Sequence, residues 1–250
     1  MDLGLQGKKV LITGASRGLG QEIAKQFAQE GAIVGLIARD GKTLETVIAK
    51  LKGEGHAYFA ADLMDEKQLT KSLVALEKKL GEFDIVVNNV GGSLGRSNVL
   101  SDKKDWFAML DYNLGIAMAI NNQLIPKMKI KGWGRVVHVS SISGKHLRGD
   151  PAYCLAKSAL TNYVKILGRA VAQDGVIVSA VLPGAFAFPG SYWDKTSVDD
   201  PQKLKDFLEH YQKIGRLGKP EEIASFIVFL SSKQATFAAG ADVPIDGASL

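Results

Sequence analysis

The stretch that decides the fold lies close to the N-terminus and reads Lys9-Val10-Leu11-Ile12-Thr13-Gly14-Ala15-Ser16-Arg17-Gly18-Leu19-Gly20. Its first half is an apolar run typical of a buried β-strand, and its second half is rich in glycine. Residues 21–30 follow with apolar side chains at helical spacing, Gly31 ends that segment, and residues 33–37 are again apolar. A strand, a glycine turn, a helix and a second strand within about 30 residues predict the first unit of an open parallel α/β sheet.

The same glycine turn predicts a binding site for a dinucleotide. Glycines let the backbone approach a pyrophosphate closely, and the helix that follows offers free N–H groups and the positive end of its dipole. An ordinary turn is the weaker interpretation, because the strand before it and the helix after it are the context that such a site needs. The residues predicted to bind here are Gly14, Ser16, Arg17, Gly18, Leu19 and Gly20.

A second motif brings together a hydroxyl, a phenol and an ammonium. The β-branched run over 135–139 would place Ser141 at the carboxyl end of a strand, and Tyr153 and Lys157 lie one helical turn apart. A nearby cation lowers the pKa of a phenol from about 10, so Tyr153 can exchange a proton with an oxygen that Ser141 holds. A tyrosine and a lysine at this spacing are, taken alone, more typical of an ordinary helix surface.

Composition limits the remaining possibilities. The chain has 250 residues, 46% hydrophobic and 23% charged, which predicts one globular domain over residues 1–250. The net charge of +5 is spread along the chain, which argues against a nucleic-acid partner and favours attraction of small anions. A single cysteine, Cys154, excludes an internal disulfide and a multi-cysteine metal site, and no metal is expected. We find no signal peptide and no long apolar run, and expect a cytosolic protein without a membrane partner.

Together these motifs resemble the short-chain dehydrogenase/reductase family over nearly the whole chain. The glycine spacing over residues 13–20 is the family's TGxxxGxG, and Asn88-Asn89-Val90-Gly91 resembles its NNAG with valine in place of alanine. The resemblance implies a catalytic set of Asn113, Ser141, Tyr153 and Lys157. It also implies that Asn113 kinks a long helix, predicted from Asp102 to about Lys131 with Ser101 as its cap, and that its backbone holds a relay water behind Lys157.

The resemblance implies further contacts with the cofactor. Asp62, followed by Leu63, would reach the adenine amino group, although an N-cap aspartate would look the same from sequence. Lys157 would also bind the nicotinamide ribose, and Pro183-Gly184, after a predicted strand over 176–182, would close over the nicotinamide. Outside the glycine loop, the predicted cofactor-binding residues are Arg39, Asp62, Leu63, Asn89, Gly91, Tyr153, Lys157, Pro183 and Gly184.

The end of the second strand bears on which nicotinamide cofactor binds. NAD-specific members place an acid there for the ribose 2′-hydroxyl, whereas this chain has Ala38 followed by Arg39. Arg39 and Arg17 would clamp a 2′-phosphate with charge-assisted bonds, so the sequence favours NADP(H). Two alternatives stay open: both arginines are plain surface residues, or Asp40 reaches the ribose or neutralises Arg39.

Two later segments bear on the substrate. The loop over 145–150 carries Lys145, His146 and Arg148 and borders the substrate, which favours an anionic substrate, and a solvated loop is an equally good interpretation. Residues from about 185 to 215 are predicted to form a lid with a helix from Lys203 to Tyr211. Relatives carry a threonine for the nicotinamide carboxamide where this chain has Phe188, so that contact is in doubt.

The resemblance therefore implies a single-domain Rossmann fold, α/β, with a doubly wound parallel seven-stranded sheet between helix layers. It implies an NADP(H)-dependent enzyme that interconverts a ketone and a secondary alcohol, with Tyr153 as acid and base. The nearest subgroup is the 3-oxoacyl-(acyl-carrier-protein) reductases, whose carrier docks on basic residues, with Lys131 as the candidate here. A sugar, steroid or polyketide-type ketone, or a non-catalytic dinucleotide sensor, are the alternatives. The family's pairing of long helices and of the last strand and helix implies a homotetramer.

Overall fold

The computed structural model describes residues 1–95 and 98–249, and a parallel sheet of seven strands organises them. The inner strands are short, mainly apolar runs whose side chains are mostly buried on both faces, as expected for parallel strands between helices, and the two edge strands are more exposed. The strands are β1 (Lys9–Thr13), β2 (Ile33–Ala38), β3 (Ala57–Ala60), β4 (Ile85–Asn88), β5 (Gly134–Val139), β6 (Val176–Pro183) and β7 (Asp242–Ile245).

Helices connect the strands and cover both faces of the sheet. Their bounds are α1 (Gly18–Gln29), α2 (Gly41–Ile48), α3 (Glu66–Leu80), α4 (Lys103–Leu110), α5 (Ile116–Lys131), α6 (Ser143–His146), α7 (Pro151–Val171), α8 (Tyr192–Asp199), α9 (Pro201–Tyr211) and α10 (Pro220–Leu230). A π-helical turn, Asp111–Gly115, joins α4 to α5, and a 3₁₀ turn, Ala172–Asp174, ends α7.

The strand order is β3-β2-β1-β4-β5-β6-β7, and every pair is parallel. After β1 the chain moves to one side through β2 and β3, and then returns to place β4 on the other side of β1. The connections that leave β1 and β4 therefore diverge and open a crevice at the carboxyl edge, where ligands bind in such sheets. The predicted doubly wound seven-stranded sheet is confirmed.

Two apolar layers hold the helices on the sheet. On one face, α1, α2 and α10 bury side chains such as Phe27, Leu44 and Ile227, all 0% exposed. On the other, α3, α5 and α7 bury Leu73, Ile120 and others. None of the helices in the described part of the chain is both long and apolar enough to cross a membrane.

The structure corrects one predicted helix cap, excludes another and adds a helix to the predicted lid. Ser101 does not cap the long helix: α4 begins at Lys103, Asp102 stands at the N-cap position without a side-chain cap bond, and the π-helical turn interrupts the helix. The N-cap of α3 is Asp65, whose carboxylate accepts from the N–H groups of Lys67 and Gln68, so Asp62 is not that cap. The predicted lid contains two helices, because α8 precedes α9.

Candidate active site

The carboxyl edge of the sheet gathers the predicted catalytic side chains. Ser141 follows β5, and Tyr153 and Lys157 lie in the first two turns of α7. Ser141 lies close enough to the Tyr153 phenol to lower its pKa. The Lys157 ammonium lies 5.7 Å from the centre of the Tyr153 ring and donates a 2.8 Å hydrogen bond to the Val139 carbonyl. The three groups thus converge as the sequence predicts.

The start of α7 is fixed by a cap that orients Tyr153. Asp150 accepts hydrogen bonds from the N–H groups of Ala152 and Tyr153, at 3.1 and 3.3 Å, and Pro151 occupies the first helical position. The second carboxylate oxygen of Asp150 accepts a 2.6 Å hydrogen bond from the Ser93 hydroxyl. One aspartate therefore joins the segment after β4 to the helix that carries the phenol.

We expected Lys157 to lower the pKa of Tyr153, but in the protein alone the pKa of Tyr153 is raised. Burial raises the pKa of Tyr153 to about 12, although the nearby Ser141 opposes the rise. Burial also lowers the pKa of Lys157 to about 7, because its ammonium lies in the interior with only 2% of the residue exposed. At neutral pH the phenol is therefore protonated and Lys157 is balanced between its two forms.

Asn113 lies in the π-helical turn, which is the predicted interruption of the long helix. Its side chain is buried and forms three strong hydrogen bonds. Oδ1 accepts from the Gly92 N–H at 2.9 Å, and Nδ2 donates to the carbonyl oxygens of Gly92 and Met109, each at 3.0 Å. The Asn113 side chain therefore fastens the segment after β4 to the helix. The sequence analysis did not predict this contact between Asn113 and Gly92. The Gly91-Gly92 pair was the one feature of the sequence that pointed to it.

The glycine loop has the shape that a diphosphate requires. A Cβ on Gly20 would lie 2.2 Å from the Gly14 carbonyl oxygen, so only glycine allows this approach. The N-cap residue of α1, Arg17, contributes no side-chain cap bond to the first helical turn, so its side chain does not compete for the N–H groups that an anion would bind. The residues present fit a dinucleotide.

Asn89 supports the loop from behind. Its Nδ2 donates to the carbonyl oxygens of Thr13 and Gly14, at 2.9 and 3.2 Å, and its N–H donates to the Thr13 hydroxyl. Asn89 is predicted to bind the cofactor, and in the structure its side-chain amide and its N–H join the end of β1 to the segment after β4. Gly91 lies beside the catalytic set, because a Cβ there would approach Asn113 Oδ1 at 2.7 Å and Lys157 Nζ at 2.9 Å.

The other predicted cofactor residues line the same edge. Arg39 is exposed at the end of β2, and Leu63 is buried after β3. Asp62 is exposed and accepts a hydrogen bond from the Met64 N–H. Pro183 ends β6, and Gly184 packs so closely on Asp246 that a Cβ would lie 2.6 Å from the Asp246 Cα.

Asp40 is occupied by a structural role. Its carboxylate accepts from the N–H groups of Lys42 and Thr43 and from the Thr43 hydroxyl, and these bonds hold its pKa below the usual value. Asp40 is therefore the N-cap of α2, and no ion pair joins it to Arg39 among the described residues. This cap contradicts the alternative that Asp40 neutralises Arg39.

A buried polar network lies beneath Lys157 and was not foreseen. The Asn121 amide joins Asn88, His138 and Tyr163 through bonds of 3.0 to 3.3 Å. Burial lowers the pKa of His138 to about 3, so this buried histidine is neutral and contributes to packing. Cys154 is likewise buried and donates to the Arg148 carbonyl. Within the described residues no cluster of three His, Cys, Asp or Glu side chains suits a metal ion.

Comparison with known proteins agrees with this geometry. A family model described as enoyl-(acyl carrier protein) reductase matches residues 14–248. The chain is 33% identical to the 3-oxoacyl-(acyl-carrier-protein) reductase of Pseudomonas aeruginosa, with 98% of each chain covered. It is 31% identical to the meso-2,3-butanediol dehydrogenase of Serratia marcescens, with 96% of this chain and 93% of the relative covered.

A solved structure extends the likeness to three dimensions. The L-sorbose reductase of Gluconobacter frateurii, complexed with NADPH and L-sorbose, is 29% identical and superimposes with a TM-score of 0.92 over 100% of this chain and 99% of its own. The sequence motifs, the strand order and the full-length matches all agree, and the chain belongs to the short-chain dehydrogenase/reductase family of oxidoreductases.

Proposed function

We propose that this protein interconverts a ketone and a secondary alcohol with NADP(H) as cofactor. The observation that carries the proposal is the convergence of Ser141, Tyr153 and Lys157 at the carboxyl edge of the sheet. A hydroxyl, a protonated phenol and an ammonium in that arrangement can hold a carbonyl oxygen and deliver a proton to it. When bound, the nicotinamide supplies the hydride for the carbonyl carbon.

The protein's own side chains would hold the carbonyl oxygen and transfer the proton. Ser141 donates a hydrogen bond that holds and polarises the carbonyl oxygen, and Tyr153 donates the proton. Because burial raises the pKa of Tyr153 to about 12, the phenol carries its proton at neutral pH, and hydride addition makes the carbonyl oxygen basic enough to take that proton. In oxidation the same oxygen must accept a proton, so the rate of alcohol oxidation rises with pH. Asn113 keeps the segment after β4 in place behind Lys157.

NADP(H) is favoured over NAD(H) by the charges at the end of β2. Arg39 is exposed there, and Asp40, the acid beside it, is held by the N-terminus of α2. A 2′-phosphate would therefore meet a cation rather than a carboxylate. The NADPH complex of the L-sorbose reductase supports the same choice.

For the substrate, we propose a 3-oxoacyl group as the first candidate, since relatives named for that activity match over nearly the full length. The predicted carrier-docking residue does not support a protein-bound form of it, because Lys131 forms an ion pair with Asp84. Arg148 remains available at the mouth of the site, where its guanidinium lies 4.3 Å from the centre of the Tyr211 ring. An anionic or thioester-linked ketone suits this entrance.

We also propose a homotetramer. The helices that the family pairs carry exposed apolar side chains, which are costly to leave in water. On α7 these are Leu155 and Ile166, at 45% and 67% exposure, and on α10 they are Phe226 and Phe229, at 43% and 40%.

A ketone panel tests the proposed activity. NADPH oxidation is followed by absorbance with a 3-oxoacyl thioester and L-sorbose, and the reverse reaction is followed with meso-2,3-butanediol. Turnover with at least one member, and with NADPH in preference to NADH, is expected. Tight dinucleotide binding without turnover across a broad panel of ketones and alcohols would favour the non-catalytic sensor instead.

A further inference from the structure

The Phe188 ring lies on the glycine loop. If Gly18 carried a Cβ, that atom would be 2.7 Å from both Cε2 and Cζ of Phe188, so the ring is in contact with the Gly18 backbone. Gly18 has a φ of +56°, in the left-handed region, and the missing side chain is what makes room for the ring. The ring therefore covers the start of α1.

Arg17 is drawn into the same contact. Its guanidinium lies 6.0 Å from the centre of the Phe188 ring, and a Cβ on Gly190 would be 3.9 Å from Arg17 Nη1. The segment Phe188–Gly190 thus touches both the loop backbone and the cation predicted to bind the 2′-phosphate. Arg17 therefore faces the lid. Its contact with the Phe188 ring is a weak cation–π contact at an exposed position.

A phenyl ring and a phosphate cannot share this surface. The first turn of α1 offers backbone N–H groups that no side chain of the N-cap satisfies, and a pyrophosphate would bind them. An aromatic ring over the same turn satisfies none of these donors and excludes a charged, hydrated group. The position of the ring therefore opposes the binding of a dinucleotide.

The hydrogen bonds of the lid show where it can move. Ala185 and Ala187 are anchored: the Ala185 N–H donates to Gln212, the Ala187 N–H donates to the Gly218 carbonyl, and the Gly218 N–H donates to Ala185, each at 3.0 Å. Among the described residues, Phe188 and Gly190 form hydrogen bonds to Ser191 and Asp194, which follow directly in the chain, and to no other element. A hinge between Ala187 and Phe188 would let the ring leave while the backbone bonds of Ala185 and Ala187 stay in place, at the cost of its contact with the Phe186 ring, whose centre lies 6.0 Å from that of Phe188.

From these contacts we propose that Phe188 sets the affinity of the cofactor site by occupying the phosphate-binding face of the glycine loop. The dinucleotide binds only when the ring has swung away, and Arg17 is released for the 2′-phosphate in the same movement. This inference rests on the proposed function, because it requires that the loop binds a nicotinamide dinucleotide. The apparent affinity is reduced by the fraction of molecules in which the ring is in place.

Titration of the intact protein with NADPH, followed by calorimetry and by nucleotide fluorescence, tests the proposal without any substrate. Phe188→Ala is expected to bind NADPH about tenfold more tightly than the wild type and to associate faster, since the competent fraction rises. Phe188→Thr is a second variant in case the alanine variant fails to fold. Phe237→Ala, which removes a fully exposed phenylalanine elsewhere, is the matched control and should leave affinity unchanged.

The outcomes separate the two proposals. Equal or weaker NADPH binding by both Phe188 variants, with a normal melting temperature, would show that the ring supports the cofactor and would overturn this inference alone. Binding by the Phe188 variants and not by the wild type would support it strongly. Failure of the wild type and of every variant to bind NADPH or NADH would overturn the proposed cofactor site, and this inference with it.

Discussion

The Lys157 ammonium lies 5.7 Å from the centre of the Tyr153 ring and is bonded to the Val139 carbonyl rather than to the phenol. This relationship explains why burial dominates both pKa values. Ser141 lowers the pKa of the Tyr153 phenol, but burial outweighs this effect and the pKa rises to about 12; among the described residues no cation is bonded to the phenol oxygen. Lys157 lies one helical turn from Tyr153 and is fastened to the backbone of β5, and its predicted contact with the nicotinamide ribose stays a prediction.

Removing the Tyr153 hydroxyl should abolish catalysis and spare the fold. In Tyr153→Phe, a proton donor worth roughly 10²–10⁴-fold in rate is lost, while the ring keeps its packing. NADPH binding, measured by titration, should stay near the wild-type value. Tyr58→Phe, which alters an exposed tyrosine on β3, is the control. Near-normal turnover by Tyr153→Phe on a confirmed substrate would exclude Tyr153 as the acid.

The buried lysine should leave a signature in stability against pH. Burial lowers the pKa of Lys157 to about 7 from 10.5, so between these values the unfolded chain binds more protons than the folded one. The free energy of unfolding of the wild type should therefore rise with pH relative to Lys157→Met, by about 1 kcal/mol per pH unit. Urea unfolding at pH 7 to 10 measures the difference, and the exposed Lys78→Met serves as control. Parallel curves for wild type and Lys157→Met would contradict the lowered pKa.

Arg39 should discriminate between the two cofactors. Charge-assisted hydrogen bonds to phosphate are worth about 1.5–3 kcal/mol, so Arg39→Ala should weaken NADPH binding by about tenfold or more. NADH binding should change little, because NADH lacks the 2′-phosphate. Arg169→Ala removes an exposed positive charge elsewhere and is the matched control. Equal losses for both cofactors, or a wild type that prefers NADH, would show the strand-end interpretation to be wrong.

Asn113 should matter for stability as well as for turnover. Asn113→Ala leaves the half-buried N–H and carbonyl groups of Gly92 without their side-chain partner, which costs about 1–3 kcal/mol in the free energy of unfolding. Asn162→Ala, on the solvent side of α7, removes an asparagine with a single exposed backbone bond and should cost far less. Chemical denaturation of both variants gives the comparison. Similar losses would mean that the clamp between the π-helical turn and the segment after β4 is weak.

The assembly should be seen directly in solution. Light scattering at micromolar concentration should give four times the monomer mass of 26.8 kDa. Charges placed on the exposed apolar faces, by Ile166→Glu on α7 and Phe229→Glu on α10, should each reduce the mass to that of a dimer, because the two helices belong to different two-fold interfaces. The Val74→Glu variant, at an exposed position of α3, is the control. A wild-type mass equal to the monomer would refute the tetramer.

Local patterns along the sequence determined the fold, the position of the glycine loop and the convergence of Ser141, Tyr153 and Lys157. These patterns extend over only a few residues each, so they can be recognised without knowing any distant contact. They are the apolar strands, the glycine turn after β1, and a phenol and an ammonium one turn apart. Position at a strand's carboxyl end also follows from order along the chain, which is why Ser141 was placed correctly beside Tyr153.

Only the tertiary structure decided how these groups behave. Burial by distant elements raises the pKa of Tyr153 and lowers that of Lys157, and desolvation cannot be read from neighbours in sequence. Asp40 looked free to reach the ribose until its carboxylate was found to cap α2. Phe188 lies 170 residues from Gly18 along the chain and rests against it in space. Such contacts depend on how the layers pack together, and no local pattern along the chain encodes them.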